Sequence, residues 1–394
     1  MGSQSIRSSQ GTIGTRRTSR GSVRARRGVW RLLVALVAVL GLMAVSAGAA
    51  SAAGKHRSRT WEVKPGHSIQ KVVDKAKSGD TIKLKRGVFY DAVCVNHKGL
   101  TFVGAGQGKT VIKPPKRFKK TVCWQTAAEV SAFAFNAPDR KAKVSNLTTV
   151  DHPGFGVIAF QAKHGVEVSH HTGLRHDEYG AAAFESKGIV FTHNTEIGDG
   201  GEAGLYVGDT ANAKAYVADN VMKGWTFGML MRDSRNGLLK DNLMRANCVG
   251  ALVLDTGPNG RQRDGSTNFA GGDWTLVDNK VINNNRFCPA HPPEVPKLSG
   301  NGIVVAGADH VRVKDNKITG HKASQPGSIR SSGLAVISAK KFGAGDPAYV
   351  KVVDNKFKNN RLDIYWDRKG KHIEFKDNDC KTSDPRSICK DSRH

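Results

Sequence analysis

The chain repeats one short pattern, and this repetition constrains its fold more than any other feature of the sequence. Each repeat opens with a glycine followed by an apolar run, and successive glycines lie 24, 24, 24 and 22 residues apart. The clear copies begin at Gly156, Gly180, Gly204, Gly228 and Gly250, looser copies begin at Gly302 and Gly333, and a degenerate copy begins at Leu362. A constant period of this kind is typical of a solenoid, in which each repeat packs only on its neighbours.

A recurring asparagine forms a second marker between the glycines. It occurs at Asn146, Asn194, Asn220, Asn242, Asn279, Asn316, Asn355 and Asn378. Asparagines stacked at one turn predict side-chain amide hydrogen bonds that pass from repeat to repeat. Where the spacing stretches, after Asp255 and Cys288, the extra residues are polar or rich in proline and glycine, which predicts projecting loops.

The length of the apolar runs identifies the kind of solenoid. Runs of four to six residues within a 24-residue period are too short for two helices and fit three short strands, one coil of a parallel β-helix. A leucine-rich solenoid is disfavoured because its leucine spacing is absent. Alternation along a strand predicts that the first and third residues after the glycine point inward. These are Val157, Ala159, Leu205, Val207, Met229, Met231, Ile303 and Val305.

Residues 1–52 are typical of a secretory signal peptide. They contain eight arginines without lysine or acid, then the apolar run Leu32–Val45, then an Ala-x-Ala site ending at Ala52. The apolar run is too short for a membrane span, which needs roughly 20 residues. We therefore expect a secreted protein without a stable membrane span, exported by the Sec route or, given pairs such as Arg16–Arg17, by the twin-arginine route.

Charge points to the kind of partner. Removal of residues 1–52 lowers the net charge from +27 to +19 and leaves 342 residues, enough for one large domain. A secreted cationic protein seldom meets nucleic acid, so an anionic polysaccharide or another cell-wall polymer is the expected partner. The alternative is a soluble surface whose lysines bind nothing in particular. A monomer is expected.

Six cysteines follow the signal sequence: Cys94, Cys123, Cys248, Cys288, Cys380 and Cys389. An even number in an exported chain predicts disulfides, with fifteen possible pairings. Their order favours the local set Cys94–Cys123, Cys248–Cys288 and Cys380–Cys389. Cys-x-x-Cys pairs with nearby histidines are absent, so the sequence predicts no zinc site.

The segment before the repeats contains an amphipathic helix over Ser68–Lys77, predicted to cap the open end of the stack. Its sequence, PGHSIQKVVDKAKSGDTIKLKRGVFY, together with the repeated Gly…Asp-Asn coils, resembles the right-handed parallel β-helix proteins of the pectate-lyase-like superfamily. The resemblance covers the chain from Trp61 onward. It implies an all-β fold: a single right-handed parallel β-helix with an N-terminal capping helix. Residues 53–115 are then the cap and first coils, and residues 116–394 are the β-helix repeats.

The resemblance also implies a polymer groove along the strands that open with glycine. Alternation places the second and fourth residues after each glycine on the outside: Ile158, Phe160, Ala182, Phe184, Tyr206, Leu230 and Arg232. Carried back into the preceding turn, the same alternation selects His152, His176, Glu178 and Glu202. The candidate catalytic residues are therefore His152, His176, Glu178, Glu202, Tyr206 and Arg232. Candidate substrate-binding residues are Phe160, Phe184 and Asp177.

These residue types suit chemistry on uronates. Uronate lyases and C5-epimerases begin by removing the C5 proton while a cation neutralises the carboxylate, a role open to Arg232. His176 or Tyr206 could act as base or acid, tuned by Glu178 and Glu202. The sequence thus favours a lyase or C5-epimerase acting on an anionic polysaccharide. Mannuronan C5-epimerases of this fold carry an Asp-Pro-His motif, and Asp151-His152-Pro153 has its last two residues exchanged.

Alternatives stay open. A glycoside hydrolase could use Glu178 and Glu202, since a retaining enzyme needs two carboxylates about 5–5.5 Å apart. The other alternative is a non-catalytic scaffold that binds polysaccharide or cell wall, with the polar residues capping turns.

A further polar column lies five residues after the glycine: Gln161, Glu185, Asp209, Asp233 and Asp255, with Ser186, Thr210, Ser234 and Thr256 directly behind it. Stacked carboxylates make calcium a possible cofactor. Asp-Ser and Asp-Thr pairs also bond their own turns, and that interpretation is favoured. No metal ligands are assigned.

Overall fold

The computed structural model describes residues 56–119, 121, 123, 130–257, 271–290 and 296–390. The predicted signal peptide lies outside the described residues. Thirty-three strands and a few short helical segments make up the described part. In chain order the elements are β1 (Thr60–Val63), α1 (Ile69–Lys75), β2 (Thr81–Leu84), β3 (Gly87–Tyr90), β4 (Val93–Asn96), β5 (Thr101–Val103), β6 (Thr110–Lys113), β7 (Phe133–Asn136), β8 (Ala142–Val150), β9 (Phe155–Phe160), β10 (Val166–Leu174), β11 (Tyr179–Phe184), β12 (Ile189–Thr192), β13 (Thr195–Ile197), β14 (Ala203–Thr210), β15 (Ala215–Ala218), β16 (Val221–Lys223), β17 (Phe227–Ser234), β18 (Gly237–Lys240), β19 (Leu243–Arg245), β20 (Val249–Leu254), β21 (Trp274–Val277), β22 (Lys280–Ile282), β23 (Phe287–Cys288), β24 (Leu298–Ser299), β25 (Asn301–Ala306), β26 (Arg312–Lys314), β27 (Lys317–Thr319), β28 (Ser332–Ile337), a 3-10 turn (Lys340–Phe342), β29 (Ala348–Val353), β30 (Lys356–Lys358), β31 (Ile364–Trp366), β32 (Lys371–Lys376), β33 (Ser383–Asp384) and α2 (Ser387–Lys390).

The strands form three parallel stacks, one strand per coil in each. The glycine face contains the strands that open the repeats: β4, β7, β9, β11, β14, β17, β20, β25, β28, β31 and β33. The second face contains β1, β2, β5, β12, β15, β18, β21, β26, β29 and β32, and the third face contains β3, β6, β13, β16, β19, β22, β27 and β30. The long strands β8 and β10 bend through both of these faces. Only β23 and β24 pair antiparallel among the described strands.

The interior follows the predicted alternation. All eight residues expected to point inward are at most 1% exposed and belong to one continuous core. Equivalent residues pair in register, as Leu205 does with Ala181 on one side and Met229 on the other. The repeat length read from the sequence is therefore the length of one coil.

The asparagine ladder is present, with one correction at its start. Seven asparagines, from Asn194 to Asn378, are at most 1% exposed. In each step a backbone N–H donates to the side-chain oxygen of the next asparagine, as Asn242 does to Asn279 at 3.0 Å. The expectation for Asn146 is wrong: it has a φ of 56° at the corner, and Leu147 occupies the ladder position. His171 follows Leu147 in the ladder and donates to Asn194 at 3.0 Å.

The helix α1 is two residues shorter at its C-terminal end than predicted and begins after Ser68, whose hydroxyl caps it by accepting from the backbone of Lys71. Its buried residues Ile69 and Val73 pack at the N-terminal end of the stacks, against β1 and β4. In the described part of the chain, no helix has the length and apolar character needed to cross a membrane.

The disulfides are the predicted local set. Cys94 bonds Cys123, Cys248 bonds Cys288, and Cys380 bonds Cys389. The first two lie on the outer side of the glycine face. Three disulfides are compatible with an exported protein.

Candidate functional site

The outer side of the glycine face is apolar and covered. Ile158, Ala182, Tyr206 and Leu230 do point away from the core, but each is at most 2% exposed. Residues of the loop insertions belong to the same outer cluster, which includes Leu298, Ile329, Ala339 and Ala344. The described parts of the insertions after Cys288 and Gly320 therefore pack over this face.

Aromatic side chains form a continuous layer on this face. Phe160 and Phe184 stack with ring centroids 4.9 Å apart, and Phe184 lies 4.4 Å from Tyr206. Tyr179 lies 4.9 Å from Tyr206 and stacks on Phe155 at 5.3 Å. Phe160 and Phe184 are half-buried. They present ring surface of the kind that packs against sugars.

Arg232 lies at the end of this layer, beside two aspartates. Its guanidinium is 5.8 Å from the Tyr206 ring centroid. Its Nη2 is 3.6 Å from Asp209, and its Nε is 3.8 Å from Asp233. The Tyr206 hydroxyl donates to Asp209 at 3.1 Å. Although the Arg232 side chain is 33% exposed, its Nε is buried and has no hydrogen-bond partner among the described residues.

This environment shifts three pKa values. Burial raises the pKa of Tyr206 well above its ordinary value. Tyr206, and then Asp209, raise the pKa of Arg232 despite its burial. Burial raises the pKa of Asp233 to about 6, although hydrogen bonds from Thr256 oppose the shift. Tyr206 thus stays protonated, Arg232 stays charged, and Asp233 titrates near neutral pH.

The polar column beside this cluster makes contacts at the corners, mainly between neighbouring coils. Gln161, Glu185, Asp209 and Asp233 have φ between 49° and 56°, so each occupies a left-handed corner. Asp233 accepts from the backbone and hydroxyl of Thr256, and Gln161 donates to Glu185 at 2.8 Å. Among the described residues no group of three His, Cys, Asp or Glu side chains could hold a metal ion. Calcium stays a prediction, without ligands in this part of the chain.

The expectation that His152 and His176 face the groove is wrong, because both are 0% exposed. Alternation does not continue across the repeat glycine. Phe155 and Tyr179 directly precede a repeat glycine, yet they belong to the same outer cluster as Ile158 and Ala182, which lie two positions after those glycines. The residues farther back do not follow one alternation, since His152 and His176 are buried whereas Glu178 is exposed. His152 bonds the Asp91 carbonyl at 3.1 Å.

His176 belongs to an interior polar network that the sequence did not reveal. Its Nε2 contacts the Thr149 hydroxyl at 2.9 Å, and that hydroxyl contacts His171 at 2.8 Å. His171 contacts Glu196 at 2.8 Å, and both are fully buried. Burial lowers the pKa of His176 well below its ordinary value.

The predicted acids lie at the corner that leads into β11 and β14. The Glu202 backbone donates to the Glu178 carbonyl at 2.8 Å, so the two residues occupy neighbouring coils. Glu178 and Asp177 are exposed, and Glu202 is half-buried. Burial, and then Glu202, raise the pKa of Tyr179, which Arg232 lowers. Tyr179 and Phe155 were not predicted. The aromatic residue directly before three of the repeat glycines was their signal.

Three parallel stacks and a buried asparagine ladder define the class: the chain is a right-handed parallel β-helix protein. The family described as "Right handed beta helix region" matches residues 155–343. No curated protein matches the sequence significantly.

The chain is similar to several solved structures, of which the first has a TM-score above 0.5. An alginate lyase from Paenibacillus sp. is 13% identical, with 80% of this chain and 99% of that chain covered and a TM-score of 0.52. A mannuronan C-5 epimerase A-module from Azotobacter vinelandii is 14% identical, with 80% and 85% covered and a TM-score of 0.46. A family 28 exopolygalacturonase from Yersinia enterocolitica is 8% identical, with 80% and 76% covered and a TM-score of 0.46. At these identities the likeness concerns the fold alone.

Proposed function

We propose that the glycine face binds an anionic, uronate-type polysaccharide and that the protein removes the C5 proton of a uronate, as a lyase or C5-epimerase. The observation that carries this proposal is the Arg232 side chain, one-third exposed, at the end of an aromatic layer. A carboxylate is the natural partner of a guanidinium, which can bind it through two parallel hydrogen bonds.

The guanidinium N–H groups of Arg232 make no short hydrogen bond to Asp209 or Asp233. Its contacts with Asp209 and Asp233, at 3.6 and 3.8 Å, are longer than hydrogen bonds. Its Nε is buried, so a substrate would be bound through the terminal nitrogens of the guanidinium. A substrate carboxylate can therefore be bound without breaking an existing strong pair, while Phe160 and Phe184 pack against a neighbouring sugar ring.

Tyr206 is the proposed proton-transfer group. Its raised pKa keeps the phenol protonated, which suits an acid better than a resting base. In a lyase the acid protonates the leaving oxygen, and in an epimerase it returns a proton to C5. The base that accepts the C5 proton is proposed to be Glu202, a half-buried carboxylate. Burial, and then the charge and hydrogen bond of Glu202, raise the pKa of neighbouring Tyr179. Glu178 keeps its proposed role of tuning nearby pKa values. His152 and His176 have no direct role in this proposal, because their ring nitrogens contact the Asp91 carbonyl and the Thr149 hydroxyl within the protein.

Two other functions have an observation in their favour. Tyr206 is 0% exposed, as are both predicted histidines, which favours a non-catalytic binding scaffold. Glu178 and Glu202 lie on neighbouring coils, the arrangement that a glycoside hydrolase with paired carboxylates would need.

Proton NMR in D₂O separates these functions. The purified protein is incubated with a panel of uronate polymers, with and without a chelator. Olefinic signals identify a lyase, deuterium at C5 identifies an epimerase, and new reducing ends alone identify a hydrolase. Unchanged spectra for every polymer would overturn the enzymatic proposal for that panel, and retained binding would leave the scaffold.

Arg232→Gln is expected to lower turnover by at least about 100-fold, because a charge-stabilising donor is worth roughly 3 kcal/mol at the reacting carboxylate. Arg361→Gln, at an exposed position, is the matched control and should leave the rate unchanged. Initial rates are measured after circular dichroism has confirmed folding. Equal rates for the two variants would exclude Arg232 from the site.

A further inference from the structure

The third face carries cations and no acids over five consecutive coils. Its strands β16, β19, β22, β27 and β30 contain no aspartate or glutamate. Their outward positions carry six exposed cations: Lys223, Arg245, Lys280, Lys317, Lys356 and Lys358. This is a flat sheet surface of one sign of charge.

Three of these lysines stand directly opposite each other. Lys280 pairs in register with Lys317, and Lys317 pairs with Lys356. Adjacent strands lie ~4.8 Å apart, so the row places like charges on successive strands along the solenoid axis. Like charges directly opposite each other destabilise a sheet. Among the described residues no carboxylate oxygen lies within 4.0 Å of these three ammonium groups.

On the neighbouring second face, lysines have carboxylates close to them. There Lys351 pairs with Glu374 on the next strand, at 3.4 Å. The aspartates at the corner between the two faces contact second-face lysines: Asp241 lies 3.4 Å from Lys240, and Asp315 lies 3.3 Å from Lys314. The corner acids are thus engaged on the second face. The third-face row keeps its charge up to its last member, Lys356, which has the exposed Asp379 in register on the next coil.

We infer that the third face is a second binding surface for a linear uronate polysaccharide, running along the solenoid axis. A row of cations at one-strand intervals matches a chain with one carboxylate on each sugar. Bound carboxylates relieve the repulsion within the lysine row, so binding recovers a cost that the free protein bears. The inference rests on the proposed function for the class of polymer. It concerns a different face, and that face binds the polymer without a chemical reaction.

The test is binding of fluorescein-labelled polygalacturonate, measured by anisotropy at 50 and 200 mM NaCl. The triple variant Lys280→Gln/Lys317→Gln/Lys356→Gln is compared with Lys64→Gln/Lys71→Gln/Lys75→Gln, which removes the same charge from exposed positions at the other end of the chain. Three lost ion pairs of modest strength predict a roughly ten-fold rise in Kd for the third-face triple and a rise below about two-fold for the control. The third-face triple should also show a shallower salt dependence.

Arg232→Gln, alone and combined with the third-face triple, separates the two faces. Binding that survives Arg232→Gln and disappears in the combined variant supports the inference. If Arg232→Gln alone abolishes binding, or if the two triples behave alike, the inference is overturned and the proposed function is not. If the third-face triple weakens binding and the wild type shows no turnover, the third-face inference is supported and the enzymatic proposal is not. Binding of polyphosphate but not polygalacturonate overturns the inference.

A Tm measurement guards against misfolding. Removal of unpaired like charges should leave the Tm of the third-face triple at or above that of the wild type. A lower Tm would show that the lysines stabilise the sheet, and it would overturn the repulsion on which the inference rests.

Discussion

The repeat glycines are required by the closeness of neighbouring coils. A Cβ built on Gly156, Gly180, Gly204 or Gly228 would lie 2.4 to 2.9 Å from the carbonyl oxygen of the next repeat glycine. None of these four needs a left-handed backbone. Glycine recurs at these positions because a side chain would collide with the next coil, and not because the backbone needs a conformation that only glycine adopts.

Gly180→Ala should destabilise the protein by about 3 kcal/mol or more, because the added methyl group meets the Gly204 carbonyl at 2.6 Å and a Glu196 oxygen at 2.2 Å. Gly345→Ala is the control, since no heavy atom lies within 4 Å of its added Cβ. Urea unfolding followed by circular dichroism gives both values. Equal midpoints for the two variants would contradict the steric explanation.

The interior network around His171 and Glu196 shows how residue roles depend on context. Glu196 stands in the strand column of Gly173 and Met222. One of its oxygens contacts His171, and the other is buried without a hydrogen-bond partner among the described residues. In sequence it resembles any strand acid, and nothing in the local pattern distinguishes it from an exposed one.

Among the structural elements, the asparagine ladder links successive coils by hydrogen bonds at the corner between the second and third faces. Asn279 accepts from both the backbone and the side chain of Asn242, each at 3.0 Å. It donates to Asn316 and to the carbonyls of Leu239 and Val277. Every corner thus has its buried polar groups satisfied by the adjacent coils.

Asn279→Ala is expected to cost about 3 kcal/mol, because it leaves several buried donors and acceptors without partners. Asn212→Ala is the matched control, since its hydrogen bond with Asn236 is exposed. The free energy of unfolding in urea tests the difference. A similar loss for both substitutions would mean that the ladder does not stabilise the stack.

For the whole molecule, buried histidines make stability depend on pH. Burial lowers the pKa of His152 and of His321 to about 4, and that of His176 well below its ordinary value. Between about pH 6.5 and 4 the unfolded chain binds more protons at these sites than the folded chain does. The free energy of unfolding should therefore fall as the pH falls through this range. Asp233, with its pKa raised to about 6, contributes in the opposite direction.

His321→Asn isolates one of these contributions. His321 accepts from Asn284 and donates to Asn360 in a second ladder, so asparagine suits the position. Between pH 7 and pH 4 the free energy of unfolding should fall less in the variant than in the wild type, by up to about 3 kcal/mol. Urea midpoints at pH 7.0, 5.5 and 4.5 measure this. The same pH dependence in both proteins would show that His321 does not titrate with a lowered pKa.

The sequence by itself determined the coil length, the inward residues and the asparagine ladder from Asn194 onward, and it favoured the disulfide pairs that the structure shows. These depend on period and on order along the chain, which local sequence records directly. Alternation held over the residues that follow each repeat glycine, and so it correctly directed Phe160, Phe184, Tyr206 and Arg232 to the outer side.

Only the tertiary structure decided what lies beyond the strand ends. His152 and His176 are buried because the alternation breaks at the repeat glycine and their rings contact the Asp91 carbonyl and the Thr149 hydroxyl. Tyr206 is covered because Tyr179, Phe184 and Arg232 of neighbouring coils pack around its ring, and only stacking brings these residues together. The unpaired lysine row emerged for the same reason: Lys280, Lys317 and Lys356 are 37 and 39 residues apart in sequence, and only stacking brings their charges together.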